Sequence, residues 1–159
     1  MSIACIAGCG RIGFDAPPND APKDGTNSGG ERVARACRTS SAYTSKAGLM
    51  NRYREATQNV SWIEARSICM GEGADLWVPD TLNEATSLDG DWVGITDVAT
   101  EGVYLTVEGV PATFLPWEPG QPDGGEAEDC VRNNGSTFED RECTDTRDFV
   151  CECKEEDDD

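Results

Sequence analysis

Apolar residues are distributed unevenly along this chain, and the unevenness divides it. Residues 1–14, MSIACIAGCGRIGF, form a short apolar stretch broken by cysteines. Residues 15–36 open with DAPPNDAPKDGTNSGGE, rich in Pro, Gly, Asn and Asp, which leaves almost nothing to bury and reads as a flexible tether. Patterned sequence fills residues 37–153, and residues 154–159, KEEDDD, trail as an acidic tail. Within the patterned part, Ser61-Trp62-Ile63-Glu64 has the form of a capping box, with Ser at the cap and Glu three residues on. It predicts a helix through WIEARSICM ending at the glycines 71 and 73, with Trp62, Ile63, Ala65, Ile68 and Cys69 on its buried face. A second box, Thr81-Leu82-Asn83-Glu84, predicts a shorter helix ending near Gly90. Short extended runs then follow at 91–96, 103–107, 113–117, 130–133 and 148–153. Helices first and strands after define an α+β domain with antiparallel pairing.

Composition narrows the function. The 159 residues suit one domain plus a tether, and no apolar run is long enough to cross a bilayer as a helix. A formal net charge of -18 repels nucleic acid and anionic lipid and makes cations the natural small partners. The absence of histidine removes Ser-His and Cys-His nucleophile pairs and imidazole zinc sites. An enzyme built on this chain would run on carboxylates alone, as a glycosidase does, yet nothing marks an acid in an apolar pocket. The expectation is therefore a binding protein and not an enzyme.

Eight cysteines stand at 5, 9, 37, 69, 130, 143, 151 and 153, with no CxxC pairs. They read as disulfides formed in an oxidising, extracytoplasmic compartment. Spacing leaves the pairing open, since six cysteines allow 15 connectivities. Ile6-Ala7-Gly8-Cys9 resembles a bacterial lipobox, which makes Cys9 a candidate lipidation site and residues 1–14 a remnant lipoprotein-type signal or anchor. Asn59-Val-Ser61 and Asn134-Gly-Ser136 fit the glycosylation sequon, a pattern without meaning in a bacterial lipoprotein.

The chemistry concentrates in EPGQPDGGEAEDC, residues 118–130, where acids crowd into a turn that is neither helix nor strand. Calcium takes six to eight hard oxygens at about 2.3–2.6 Å and needs no regular backbone around it. Gln121 offers an amide oxygen, Asp123 and Glu128 offer carboxylates, and Asp140 offers a carboxylate and its main-chain carbonyl. Without a cation these acids repel one another and some of their pKa values rise.

SWIEARSIC, DWVGI, EPGQPDGGEAEDC, FEDREC and FVCE, read in that order across residues 37–153, resemble the C-type lectin-like domain. The resemblance implies an α+β fold of two helices flanking antiparallel sheets, with a long calcium-binding loop region and a disulfide staple. It implies bridges Cys69–Cys151 and Cys130–Cys143, leaving Cys37 to Cys153. It places Gln121, Asp123, Glu128 and Asp140 on the principal Ca2+ site, adds Glu139 as a fifth metal ligand, and implies a cis Gln121–Pro122 peptide. It also makes Gln121, Asp123, Glu128, Glu139 and Trp117 the ligand-binding set for galactose-type or related vicinal hydroxyls. The chain departs from the family at Glu139, where an Asn amide would donate to a sugar hydroxyl. An ionised carboxylate cannot donate, and the unmatched hydroxyl costs about 1–3 kcal/mol in a desolvated site. Gly124 and Gly125 stand where galactose binders carry an aromatic ring, and the short QPDGG loop has tetranectin-like spacing, which favours a protein partner. Two functions follow as expectations: a calcium-dependent carbohydrate-binding module, secreted or anchored at the cell surface, or a calcium-stabilised protein-binding module of the same fold. Trp62 and Trp92 read as core, Trp117 as packing beneath the loop, and Arg132 and Arg141 as counter-charges on an acidic surface.

Overall fold

The computed structural model describes residues 36–154. Cys5 and Cys9, and with them the anchor and most of the tether, lie outside the described residues, as does most of the acidic tail. Strand β1 spans Thr44–Ser45 and β2 spans Arg52–Val60; helix α1 follows at Trp62–Gly71, then β3 at Asp75–Leu76 and α2 at Leu82–Ser87. Strands β4 (Trp92–Thr96), β5 (Leu105–Thr106), β6 (Cys130–Asn133), β7 (Phe138–Arg141) and β8 (Arg147–Cys153) complete the order. They form one sheet in the order β1-β2-β8-β4-β6-β7, with β3 on β8 and β5 on β4. Pairing is antiparallel throughout except for the contact of β4 with β8.

Helices α1 and α2 start where the capping residues place them. Glu64 accepts hydrogen bonds from the main-chain N–H and the hydroxyl of Ser61 at 3.1 and 2.7 Å, which fixes the first turn of α1. At α2 the Thr81 hydroxyl accepts from Glu84 N–H, while the Glu84 carboxylate turns inward to Tyr53 and to Asp80 N–H instead of closing the box. Trp62, Ala65 and Cys69 are the buried stripe of α1. Ile63, expected on that face, is 63% exposed. Its position is about 100° around the helix from Trp62, far enough to leave the narrow stripe.

The sheet separates two apolar clusters. One, under α1, joins Trp62, Ala65, Leu76, Trp92 and Phe149 to Cys37, Cys69, Cys151 and Cys153. The other, on the opposite face, holds Tyr53, Trp77, Val93, Ile95, Val131, Phe138 and Val150. Strand β8 serves both because alternate side chains face opposite ways: Phe149, Cys151 and Cys153 enter the first cluster and Val150 the second. Three bridges, Cys37–Cys153, Cys69–Cys151 and Cys130–Cys143, staple the described residues. Trp77 is fully buried, and its indole N–H donates to Trp92 O at 2.9 Å. Gly94 lets β4 press on the 76–78 segment, because a Cβ there would lie 2.7 Å from Leu76 O.

The 113–117 run, expected as a strand, is irregular; only Trp117 makes a bridge, to Phe138. Pro111 and Pro116 lack the N–H that a ladder requires. The longest strand, β2, lies outside the extended runs expected from the pattern. Its buried residues, Tyr53 and Ala56, sit three apart, and the register with β8 shifts between Ala56 and Val60, so no two-residue alternation marks it.

Candidate metal-binding loop

Four anchors hold the 118–130 loop over the β6–β7 end of the sheet. Glu118 N–H donates to Phe138 O and Phe138 N–H to Pro116 O, the loop closes on itself through Gln121 N–H to Glu118 O, and Cys130–Cys143 ties its far end. The Gln121–Pro122 peptide is cis. Residues 125–127 make one 3-10 turn, which returns the chain toward β6.

Three carboxylates converge there: one oxygen each from Asp123, Glu128 and Asp140 lies within 4.8 Å of the others. Asp140 is almost wholly buried at the centre of β7 and accepts from Asp123 N–H at 3.1 Å and Gly124 N–H at 2.9 Å. Gln121 completes the ring, its amide N–H donating to Asp123 Oδ1 at 2.6 Å and its carbonyl oxygen accepting from Asp140 N–H at 3.1 Å. Gly124 is indispensable to this packing, since a Cβ there would overlap the Glu128 side chain. Partial burial pushes the Glu128 carboxyl up; Arg141 opposes the shift, and Asp140 and Asp123 add to it. A set of hard oxygens held this close against mutual repulsion fits a calcium-like cation.

Glu139 does not join them. It was expected as a fifth ligand, but both its oxygens accept from Arg132, at 2.9 and 3.1 Å, and it also pairs with Arg141. Arg132 lies directly across the β6–β7 ladder from Glu139 and Arg141 lies two residues along the same strand, so all three share one face while Asp140 takes the other. Arg132 first, and Arg141 with it, hold the Glu139 carboxyl down at about 2. Trp117 is half-buried and packs edge-on against Tyr104, with ring centroids 4.8 Å apart, so its ring braces the loop.

A second group of acids escaped the sequence reading. Asp97, 2% exposed, closes the β4 end by accepting from Gly102 N–H, but its Oδ1 is buried with no hydrogen-bond partner. Asp129, whose carbonyl accepts from Asp97 N–H, is pushed up first by partial burial and next by the charge of Asp97; the exposed Glu101 is pushed up too, by desolvation first and then by the same charge. Their signal was the acid spacing in TDVATEG, residues 96–102, which reads as a surface turn until β4 places it beside Asp129.

A helix-and-sheet domain with this staple, carrying a carboxylate-lined loop beside its last hairpin, has the architecture of a lectin-type recognition domain. The Lectin C-type domain profile matches residues 58–153, and the chain belongs to that family, whose members are typically binding domains and not enzymes. Mouse C-type lectin domain family 3 member A is 33% identical over 103 residues, covering 56% of this chain and 53% of the relative. Human tetranectin is 30% identical over 114 residues, covering 60% and 56%. The chain thus spans about half the length of these curated relatives. Among solved structures, the cow CD23 carbohydrate-recognition domain, determined in the presence of an oligosaccharide, superposes with a TM-score of 0.66 at 24% identity, covering 74% of this chain and 97% of that one. The Ca2+-free form of a Ca2+-dependent type II antifreeze protein superposes at 0.64 with 22% identity, covering 72% and 99%. At such identities the likeness is one of fold. No helix among the described residues is long and apolar enough to cross a membrane, and three disulfides fit an extracytoplasmic setting.

Proposed function

We propose that this chain is a calcium-dependent carbohydrate-binding module that recognises galactose-type or related vicinal hydroxyls, secreted or held at a cell surface through the residue 15–36 tether. The observation that carries the reading is the convergence of Asp123, Glu128 and Asp140 around one point, framed by Gln121. Bound calcium would supply coordination positions for two neighbouring hydroxyls. The chain's own part is to orient them: the Asp123 and Glu128 carboxylates accept hydrogen bonds from the hydroxyls and the Gln121 amide N–H donates one to a hydroxyl oxygen. Asp140 anchors the loop from the sheet.

A second reading, a calcium-stabilised protein-binding module, has its own support. Glu139 is occupied by Arg132 and Arg141, Trp117 is committed to Tyr104, and Gly124 and Gly125 offer no ring, so a sugar would meet fewer partners than in the family's pattern. A glycan array probed with calcium and again with chelator separates the two. The carbohydrate reading expects calcium-dependent signals on galactose-terminated glycans that vanish in Asp123→Ala. Calcium binding by the wild type with a blank array would overturn it in favour of a protein partner.

A further inference from the structure

One cation already sits against the proposed metal donors, and it belongs to the chain. The Arg141 guanidinium donates to the main-chain carbonyl of Asp140 at 3.1 Å, lies 3.7 Å from Glu128 Oε2, and pairs with the Glu139 carboxylate. Two of those oxygens, the Asp140 carbonyl and Glu128 Oε2, belong to residues proposed to hold calcium, while Glu139 holds the guanidinium beside them. Arg141 reaches them because it is the last residue of β7, one position past Asp140, where the strand ends beside the returning loop. Arg132 is different: its guanidinium grips Glu139 and Asp91 and makes no ion pair with Glu128 or Asp140.

We propose that Arg141 is a tethered stand-in for the metal, holding the empty loop in shape and withdrawing when a divalent cation binds, so that its charge sets the calcium affinity of the site. This rests on the calcium reading above. The reasoning is electrostatic. In the empty site the guanidinium, 3.7 Å from Glu128 Oε2, offsets the mutual repulsion of the clustered Asp123, Glu128 and Asp140 carboxylates. In the loaded site the same positive charge stands within a few ångströms of a dication and must give up its contacts to Glu128 and to the Asp140 carbonyl. Arg141 therefore stabilises the empty form and opposes the loaded one. A residue with a merely structural role would favour both.

Isothermal titration of the whole chain with CaCl2, for wild type, Arg141→Gln and Arg132→Gln, reads the difference directly. Arg141→Gln is expected to bind calcium about tenfold tighter, the scale of one unit charge beside a dication in a partly solvated site. The same variant should have a lower Tm in chelator and a larger Tm gain on adding calcium. Arg141→Lys, which keeps the charge but not the fork that spans several oxygens, should retain the wild-type affinity within a few-fold. In the wild type, the Arg141 side-chain Nε–H resonance should shift as calcium saturates. Equal or weaker calcium affinity in Arg141→Gln, or an unmoved Arg141 resonance on saturation, would overturn the proposal while leaving the calcium site standing. If no variant and no wild type binds calcium, the site reading and this inference fall together. Binding in Arg141→Gln alone would support the inference in its strongest form. Should Arg141→Gln not fold, the resonance shift in wild type decides the matter.

Discussion

Position 124 shows how little room the loop leaves at the scale of one residue. Its backbone has φ -83° and ψ -17°, a conformation open to alanine, so only the space above it demands glycine. That space holds the Glu128 side chain. Gly124→Ala is therefore expected to displace Glu128 and weaken calcium binding on the order of 10–100-fold, the usual loss when a ligand's support is disturbed. The Tm in chelator should change little, and an unchanged calcium affinity would contradict the packing described. Glu139 makes the complementary point. Its residue type suits calcium as well as Asp140 does, and the donor chemistry of both was legible from the sequence. Which way each points was not, because Glu139 and Asp140 are adjacent on a strand and face opposite sides, and only the register β6 against β7 sets Arg132 opposite Glu139.

At the scale of elements, the helix starts were the most legible features, since caps are written in residues within one turn of each other. Ser61 donates its hydroxyl to Glu64, and Ser61→Ala should cost about 1 kcal/mol in urea denaturation with no change in the calcium affinity. A loss of calcium binding in that variant would mean that α1 and the loop are coupled in a way these contacts do not show. The extended segments were less legible. Strand β8 carries apolar side chains on both faces and reads as a continuous run, whereas β2 buries only Tyr53 and Ala56 and owes its nine residues to pairing with β8. Residues 113–117 are apolar for a different reason: Phe114 packs on Phe138 and Trp117 on Tyr104, so they wedge the loop against the second cluster without joining a ladder.

At the scale of the whole molecule, the chain carries a net charge of -18 and its folded domain also buries acids, and pH stability follows from how it buries them. Glu152 is 6% exposed among Val78 N–H, the Asn51 amide, Glu84 and the more distant Lys154; burial first pushes its carboxyl up to about 7. Its unfolded value is 4.5, so between about 4.5 and 7 the folded chain holds a proton that the unfolded chain has released. Stability in chelator should therefore fall as pH rises through that window, by at most about 3–4 kcal/mol from this group. Glu152→Gln should flatten the slope, and urea midpoints measured across the window test it; an unchanged slope would exclude Glu152 as its source. Glu139 acts in the opposite sense: held down at about 2, it contributes stability above pH 4.5 that is lost as pH falls toward 2. The sequence by itself determined the local and compositional facts: an α+β domain, the two helix starts, a strongly acidic composition, and oxygen-bearing side chains at 121, 123, 128 and 140. Spacing left the pairing of the cysteines open and the family resemblance implied the three bridges that the structure holds, whereas the tertiary structure alone decided the burial of Glu84 and Glu152, the commitment of Glu139 to Arg132, and the placement of Arg141 beside Glu128. The physical reason is range. Caps and donor types act between neighbours in sequence, whereas long charged side chains choose partners only after a sheet has fixed which residues stand opposite one another.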